Sequence, residues 1–150
     1  MATDAIIKTN VKYGSYFWVQ WSVREQDAAR NKTVILWSCG LHPEEQYYTN
    51  AIRMSAVVIN GRTVYSGGTY SDITDYREET FASGTMEIDH EGDGSKIFTV
   101  SAFSGWLYGN GDYNAPAQSF ELPTIPRATV PYMGTATIGE EVHILSLIHI

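Results

Sequence analysis

The chain predicts an all-β fold, an antiparallel β-sandwich of jelly-roll-like type, and three observations carry that prediction. Apolar residues recur with period two rather than with the 3.6-residue period of a helix. An Asn60-Gly61 pair stands between two apolar runs, and both residues of such a pair tolerate the positive φ that a tight hairpin turn demands. No segment joins a helical apolar stripe to a capping residue at its start. Many short strands punctuated by turn residues argue for two packed antiparallel sheets.

The elements follow in order. Ala5 to Val11 reads as a first strand. Tyr16 to Val23 alternates, with Phe17, Val19, Trp21 and Val23 on the expected core face and Tyr16, Trp18, Gln20 and Ser22 on the other. Asp27 to Asn31 suits one short turn. Thr33 to Cys39 is β-branched and aromatic and reads as the next strand. Ile52 to Ile59 and Arg62 to Ser66 form the hairpin around Asn60-Gly61. Thr85 to Asp89 and Lys96 to Phe103 form a second one around His90-Glu91-Gly92-Asp93-Gly94-Ser95, and Ser119 to Leu122 is a last short strand. Two polar, tyrosine-containing segments, His42 to Asn50 and Ser104 to Gln118, read as long surface loops.

Pro123-Thr124-Ile125-Pro126-Arg127 reads as an extended linker, because two prolines so placed do not fit a central strand. The organisation expected is therefore a sandwich over 1–122, a Pro-rich linker over 123–127, and the truncated start of a following β-domain over 128–144, with Gly134 and Gly139 as its turns. The final string, Leu145 to Ile150, is spelled by CTG TCT CTT ATA CAC ATC, which looks like a transposase sequencing adapter. Residues 145–150 are expected to be adapter-derived, and no role is assigned to His149.

Composition narrows the partners. The 150 residues suit one domain and little more, and are 43% hydrophobic and 13% aromatic. Seventeen acidic against ten basic residues give a net charge of −7, with no Lys/Arg cluster to attract nucleic acid or an anionic membrane. Cys39 is the only cysteine. It excludes an internal disulfide or a cysteine metal cage, and its strand context predicts a buried thiol. Met1 to Lys8 lacks the basic-then-apolar pattern of a signal peptide, and no stretch is long enough to span a membrane, so synthesis in a cytoplasm is expected.

Candidate chemistry is sparse. Trp18, Trp106, Tyr108 and Tyr113 are the candidate ligand-binding residues, because flat aromatic rings bury the apolar face of a pyranose and their polar tips reach hydroxyls. Trp18 qualifies because alternation points it away from Trp21; the other three lie in the Gly-rich 104–118 segment. The alternative is that a second layer or a neighbouring subunit covers these rings.

Asp89, Glu91 and Asp93 before Gly94 look like half a calcium loop, but the distal ligand position falls on Val100, so a plain turn is the better reading. Glu44-Glu45, Glu78-Glu79 and Glu140-Glu141 are adjacent pairs, and adjacent strand residues point to opposite faces, unlike the facing carboxylates of a glycosidase. His42, His90 and His143 lack metal-site spacing. Ser66-Gly67-Gly68-Thr69 has no following helix and is no phosphate loop. No metal, cofactor or catalytic activity is expected. An enzyme cutting cell-wall polysaccharide is the third-ranked alternative.

Several local strings, in order, resemble a family of minor structural proteins of siphophages that infect Gram-positive bacteria, often described as of unknown function. They are Glu25-Gln26-Asp27-Ala28-Ala29-Arg30-Asn31, Val34 to Ser38 around Trp37, Ile59-Asn60-Gly61, Tyr65-Ser66-Gly67, Ser83-Gly84-Thr85, His90 to Lys96, and Leu122-Pro123-Thr124-Ile125-Pro126-Arg127-Ala128. Together they cover roughly residues 10 to 128. The resemblance implies a virion tail-tip or tail-fibre component built from consecutive β-domains, made in the host bacterial cytoplasm, with other tail proteins as partners and a homotrimer as the oligomer usual in fibres. It carries over no catalytic residue. Loops 42–50 and 104–118 are more aromatic and charged than the family pattern. Two roles follow as expectations: contact with host cell-wall polysaccharide through those loops, or a spacer or oligomerisation domain with no ligand.

Overall fold

A computed structural model of the chain describes residues 1–11, 14–44, 49–66, 70–73, 78–106 and 113–127. Within them run nine strands: β1 (Asp4–Lys8), β2 (Ser15–Asp27), β3 (Lys32–Pro43), β4 (Thr49–Ile59), β5 (Arg62–Ser66), β6 (Tyr70–Ile73), β7 (Glu79–Asp89), β8 (Ile97–Trp106) and β9 (Tyr113–Glu121). No helix occurs among the described residues. One sheet has the order β1-β2-β3-β7. The other has the order β5-β4-β8-β9, with β6 also paired to β4. All pairings are antiparallel. The all-β sandwich is thus the architecture, with β5 and β6 sharing one edge of β4 in succession.

The period-two pattern is what builds the core. Phe17, Val19 and Trp21 of β2 are fully buried, as are Ile35, Cys39 and Leu41 of β3, while Val57, Ile59, Phe98 and Val100 face them from the second sheet. Trp21 meets Phe98 and Phe120 edge-on, with centroids 4.9 and 5.3 Å apart, an arrangement worth about 0.5–1.5 kcal/mol per pair beyond burial. Trp37 lies against its cross-strand neighbour Gly84, where an added Cβ would come within 3.0 Å of the indole. The missing side chain is the space that the ring fills.

The Asn60-Gly61 turn forms as expected, with φ of 52° and 75°. Other strands run beyond their expected bounds. β7 begins at Glu79 rather than Thr85, and β9 at Tyr113 rather than Ser119. The surface loop expected over 104–118 is corrected accordingly: β8 runs to Trp106, and residues 113–118 are strand. Pro116 is tolerated there because β9 is an edge strand, and it falls at a register irregularity opposite β8. The 42–50 loop likewise shrinks, since β3 extends to Pro43 and β4 starts at Thr49.

Strand direction sorts the connections between two poles. The Asn60 pole gathers the β2–β3 turn (28–31), the Asn60-Gly61 turn and the 90–96 connection. The Tyr113 pole gathers the ends of β1, β3 and β8 and the starts of β2, β4 and β9.

The segment 123–127, expected to be a linker, has no regular secondary structure, and it is not free. Leu122 and Ile125 are 0% and 1% exposed. Ile125 N–H donates to the Gly94 carbonyl at 2.9 Å, Leu122 N–H to the Lys96 carbonyl at 3.0 Å, and Arg127 Nη1 to the Ala28 carbonyl. It is a strap docked on the Asn60 pole. Residues 128–144, expected to start a following domain, and 145–150, expected to be adapter-derived, lie outside the described residues.

Candidate ligand-contacting surface

The Tyr113 pole is built from β-strand ends that are pinned to one another. Tyr113 is 1% exposed and meets Phe17 edge-on at 4.9 Å. Its hydroxyl lies 2.8 Å from Ser15 Oγ. Asn114 N–H donates to Asn10 Oδ1 at 2.8 Å, and Glu44 N–H to the Gly14 carbonyl at 2.6 Å. This places Tyr113 in the core, with no ring face left for a sugar. The cue was in the sequence: Tyr113-x-Ala115 continues the inward alternation of an edge strand.

Trp106 is the last residue of β8, its backbone opposite Ile52. Tyr108 lies outside the described residues. Trp18 points to the outer face of the first sheet, opposite Gly40, yet it is only 7% exposed. Its Nε1 has no hydrogen-bond partner. The same is true of Trp21 Nε1 deep in the core, so an unpaired indole N–H does not by itself mark a site here. Beside Trp18, the Tyr16 ring lies between Lys8 Nζ, 5.1 Å from its centroid, and the His42 ring at 5.0 Å. His42 Nδ1 in turn lies 3.5 Å from Glu78 Oε1. The three candidates among the described residues therefore do not converge: Trp18 is on an outer face, the backbone of Trp106 at a pole, and Tyr113 inside.

Two concave features escaped the sequence reading. The first is a trough of about 340 Å³ on the outer face of the first sheet, crossing β2, β3 and β7. Trp21, Trp37 and Gly84 face inward, so they contribute backbone to its floor. Its rim is Gln20, Ser22, Leu36, Ser38, Ser83 and Thr85. No rim residue is titratable. Small polar residues at alternate outward positions were the available signal, but they look like any solvated strand face.

The second is a cleft of about 520 Å³ between the edges of β7 and β5, with Trp37 and Met86 at its floor and Lys32, Arg62, Glu87 and Asp89 among its walls. Three of its charges pair with one another, Lys32 Nζ lying 3.4 Å from both Glu87 Oε2 and Asp89 Oδ1. Such partly exposed pairs neutralise the wall and contribute little stability.

The half calcium loop resolves into separate contacts. Asp89 meets Lys32 at 3.4 Å and Glu91 meets Lys96 at 3.8 Å, while Asp93 accepts from Ser95 N–H at 2.9 Å and Ser95 Oγ at 2.6 Å. The Ser95 bonds hold the Asp93 carboxyl below its usual range. Among the described residues, no His, Cys, Asp or Glu group gathers to hold a metal ion, and no helix is long and apolar enough to cross a membrane. Cys39 is fully buried, and burial pushes its thiol up to about 11.

No curated protein matches the chain. A family model does, over residues 16–147, spanning nearly all of β2, the strands β3 to β9 and the strap. The chain, a β-sandwich, belongs to the family described as siphovirus protein of unknown function (DUF859), which makes it a phage protein.

Proposed function

We propose that this chain is a non-enzymatic module of the siphophage tail, carried on the virion, and that its Tyr113 pole contacts a glycan of the host cell surface. One observation supports the reading above the others: the strand ends flanking residues 45–48 and 107–112 share the pole opposite the docked strap. Segments with Tyr47, Tyr48, Trp106 and Tyr108 are thus rooted at the end turned away from the point where the chain continues. Connections rooted on a rigid scaffold are where recognition concentrates. The uncharged, hydroxyl-rich trough on the adjoining face suits the same class of neutral ligand.

The test is retention of the chain on cell walls from a panel of Gram-positive hosts. Selective retention that is lost on stripping wall polysaccharide, and in Trp106→Ala with the fold intact, is the expected result. A second reading, a spacer or oligomerisation domain in a homotrimer with other tail proteins around it, draws on Ile6 and Leu36. They are 47% and 44% exposed on the outer face of the first sheet. Absence of retention on every wall, together with a stable trimer by light scattering, decides for the spacer. New reducing ends released from wall material would overturn the non-enzymatic reading.

A further inference from the structure

The Asn60 pole holds a closed circuit of hydrogen bonds whose only covalent return is the strap. Gln26 Nε2 donates to the Pro123 carbonyl at 2.8 Å and to Thr33 Oγ1 at 3.1 Å. Thr33 Oγ1 lies 2.6 Å from His90 Nε2, and His90 Nδ1 lies 2.7 Å from the Gly94 carbonyl. A carbonyl only accepts, so Nδ1 carries a proton and donates it to Gly94, while Nε2 and the Thr33 hydroxyl share the second bond. The Gly94 carbonyl uses its second lone pair for Ile125 N–H at 2.9 Å. The circuit then closes through Pro123-Thr124-Ile125.

Burial makes the circuit matter. Thr33 is 0% and His90 9% exposed, and a buried polar group stripped of its partner costs more than the bond it made. The frame under it is fixed too. His90 N–H donates to the Asn31 carbonyl at 2.9 Å, and Asn31 Nδ2 to the Glu91 carbonyl at 2.8 Å. The 28–31 turn is therefore tied to the 90–96 connection, and the strap to both.

We infer that Gln26, Thr33, His90 and Gly94 form a latch that locks the 123–127 strap onto the sandwich, making the Asn60 pole a rigid joint for the rest of this chain. The 28–31 turn, the 90–96 connection and the strap form one surface, and the latch fixes the course of the backbone as far as Arg127. A Pro-rich stretch between modules ordinarily sets a spacing and leaves orientation loose. Here Leu122, Ile125 and the circuit set orientation as well. This goes beyond the glycan reading and does not rest on it.

The experiment is amide hydrogen exchange and residual dipolar coupling on the full chain by NMR. In the wild type, Leu122 and Ile125 amides exchange as slowly as strand amides, and couplings from 123–127 fit the alignment tensor of β2 and β3. Thr33→Val keeps the shape but breaks the relay at both ends. It accelerates Ile125 exchange by about fivefold or more beyond any change at Val19 and Ile35, which report the core. Gln26→Ala, at an exposed side chain, cuts Pro123 loose without disturbing the interior and shifts the 123–127 couplings off the common tensor. The inference is overturned if wild-type Ile125 exchanges as an unprotected amide. It is equally overturned if the wild-type strap couplings do not fit the tensor, or if Ile125 keeps step with Val19 and Ile35 in both variants.

Discussion

Replacing Gly94 with alanine is the sharpest test of how the strap is held. Gly94 has φ of +88°, and a Cβ built on it would lie 1.9 Å from the Ile125 carbonyl oxygen and 3.0 Å from both the Ile125 carbonyl carbon and Arg127 Cγ. The left-handed conformation alone costs a non-glycine residue about 1–2 kcal/mol. The clash is with backbone, so the strap or the 90–96 connection must move. Moving the strap gives up the Ile125–Gly94 hydrogen bond, about 1 kcal/mol, and re-exposes Ile125, about 1.5–3 kcal/mol. A loss of about 3 kcal/mol or more is expected. Two further glycines separate the contributions. Gly61 has φ of +75° with nothing within 4 Å of its virtual Cβ, so Gly61→Ala isolates the conformational cost at about 1 kcal/mol. Gly92 has open space and no positive φ, so Gly92→Ala stays within about 0.5 kcal/mol of wild type. Urea unfolding reads all three as shifts of the midpoint at constant slope. If Gly94→Ala costs no more than Gly61→Ala, steric closure against the strap is not what holds this pole together.

Two other expectations concern buried groups. Tyr113→Phe removes the hydroxyl facing Ser15 and costs about 1–2 kcal/mol in urea unfolding, while leaving cell-wall retention unchanged; a loss of retention at full stability would return Tyr113 to the ligand-binding set. Burial raises the Cys39 thiol from 9.0 to about 11. The fold therefore favours the protonated form, and that contribution is whole below pH 9 and is lost as pH rises toward 11. At about 1.4 kcal/mol per pH unit it amounts to about 2–3 kcal/mol. Cys39→Ala should flatten the alkaline limb of the stability profile between those values, and an unchanged limb would refute the assignment.

Much of the fold was legible because one face of each sheet is buried. Phe17, Val19 and Trp21 alternate with polar or outward residues, and no other register hides all three. The Asn60-Gly61 turn was legible from its two residues alone. What escaped notice was strand that draws its identity from a neighbour. Apart from Phe81, Glu79 to Gly84 carries small and polar residues, and it is strand because β3, from Trp37 to Leu41, supplies the partners. Tyr113 to Gln118 escaped because Gly109 and Gly111 precede it and Pro116 interrupts it, while the edge position that excuses the proline is a property of the sheet. The site was less legible. Trp18 was correctly turned from the core, but its burial is set by its surroundings on that face. The latch was invisible because Gln26, Thr33, His90 and Gly94 are brought together only by the β2–β3 and β7–β8 connections meeting at one end.

The contact between Trp37 and Gly84 has a consequence for how this sequence can change over generations. A side chain at position 84 would press on the indole, whose Cζ2 and Cε2 lie 3.0 and 3.1 Å from the virtual Cβ, so the ring would have to give by a few tenths of an ångström. Trimming Trp37 first would open a void in the core at about 3–5 kcal/mol. The two positions are therefore coupled: the fit of one ring depends on what stands across the strand from it. Both fall within the short strings by which the chain resembles its family, Val34 to Ser38 and Ser83 to Thr85. Two stretches far apart in sequence thus share one constraint, with the shape of one ring written into the absence of a side chain across the strand.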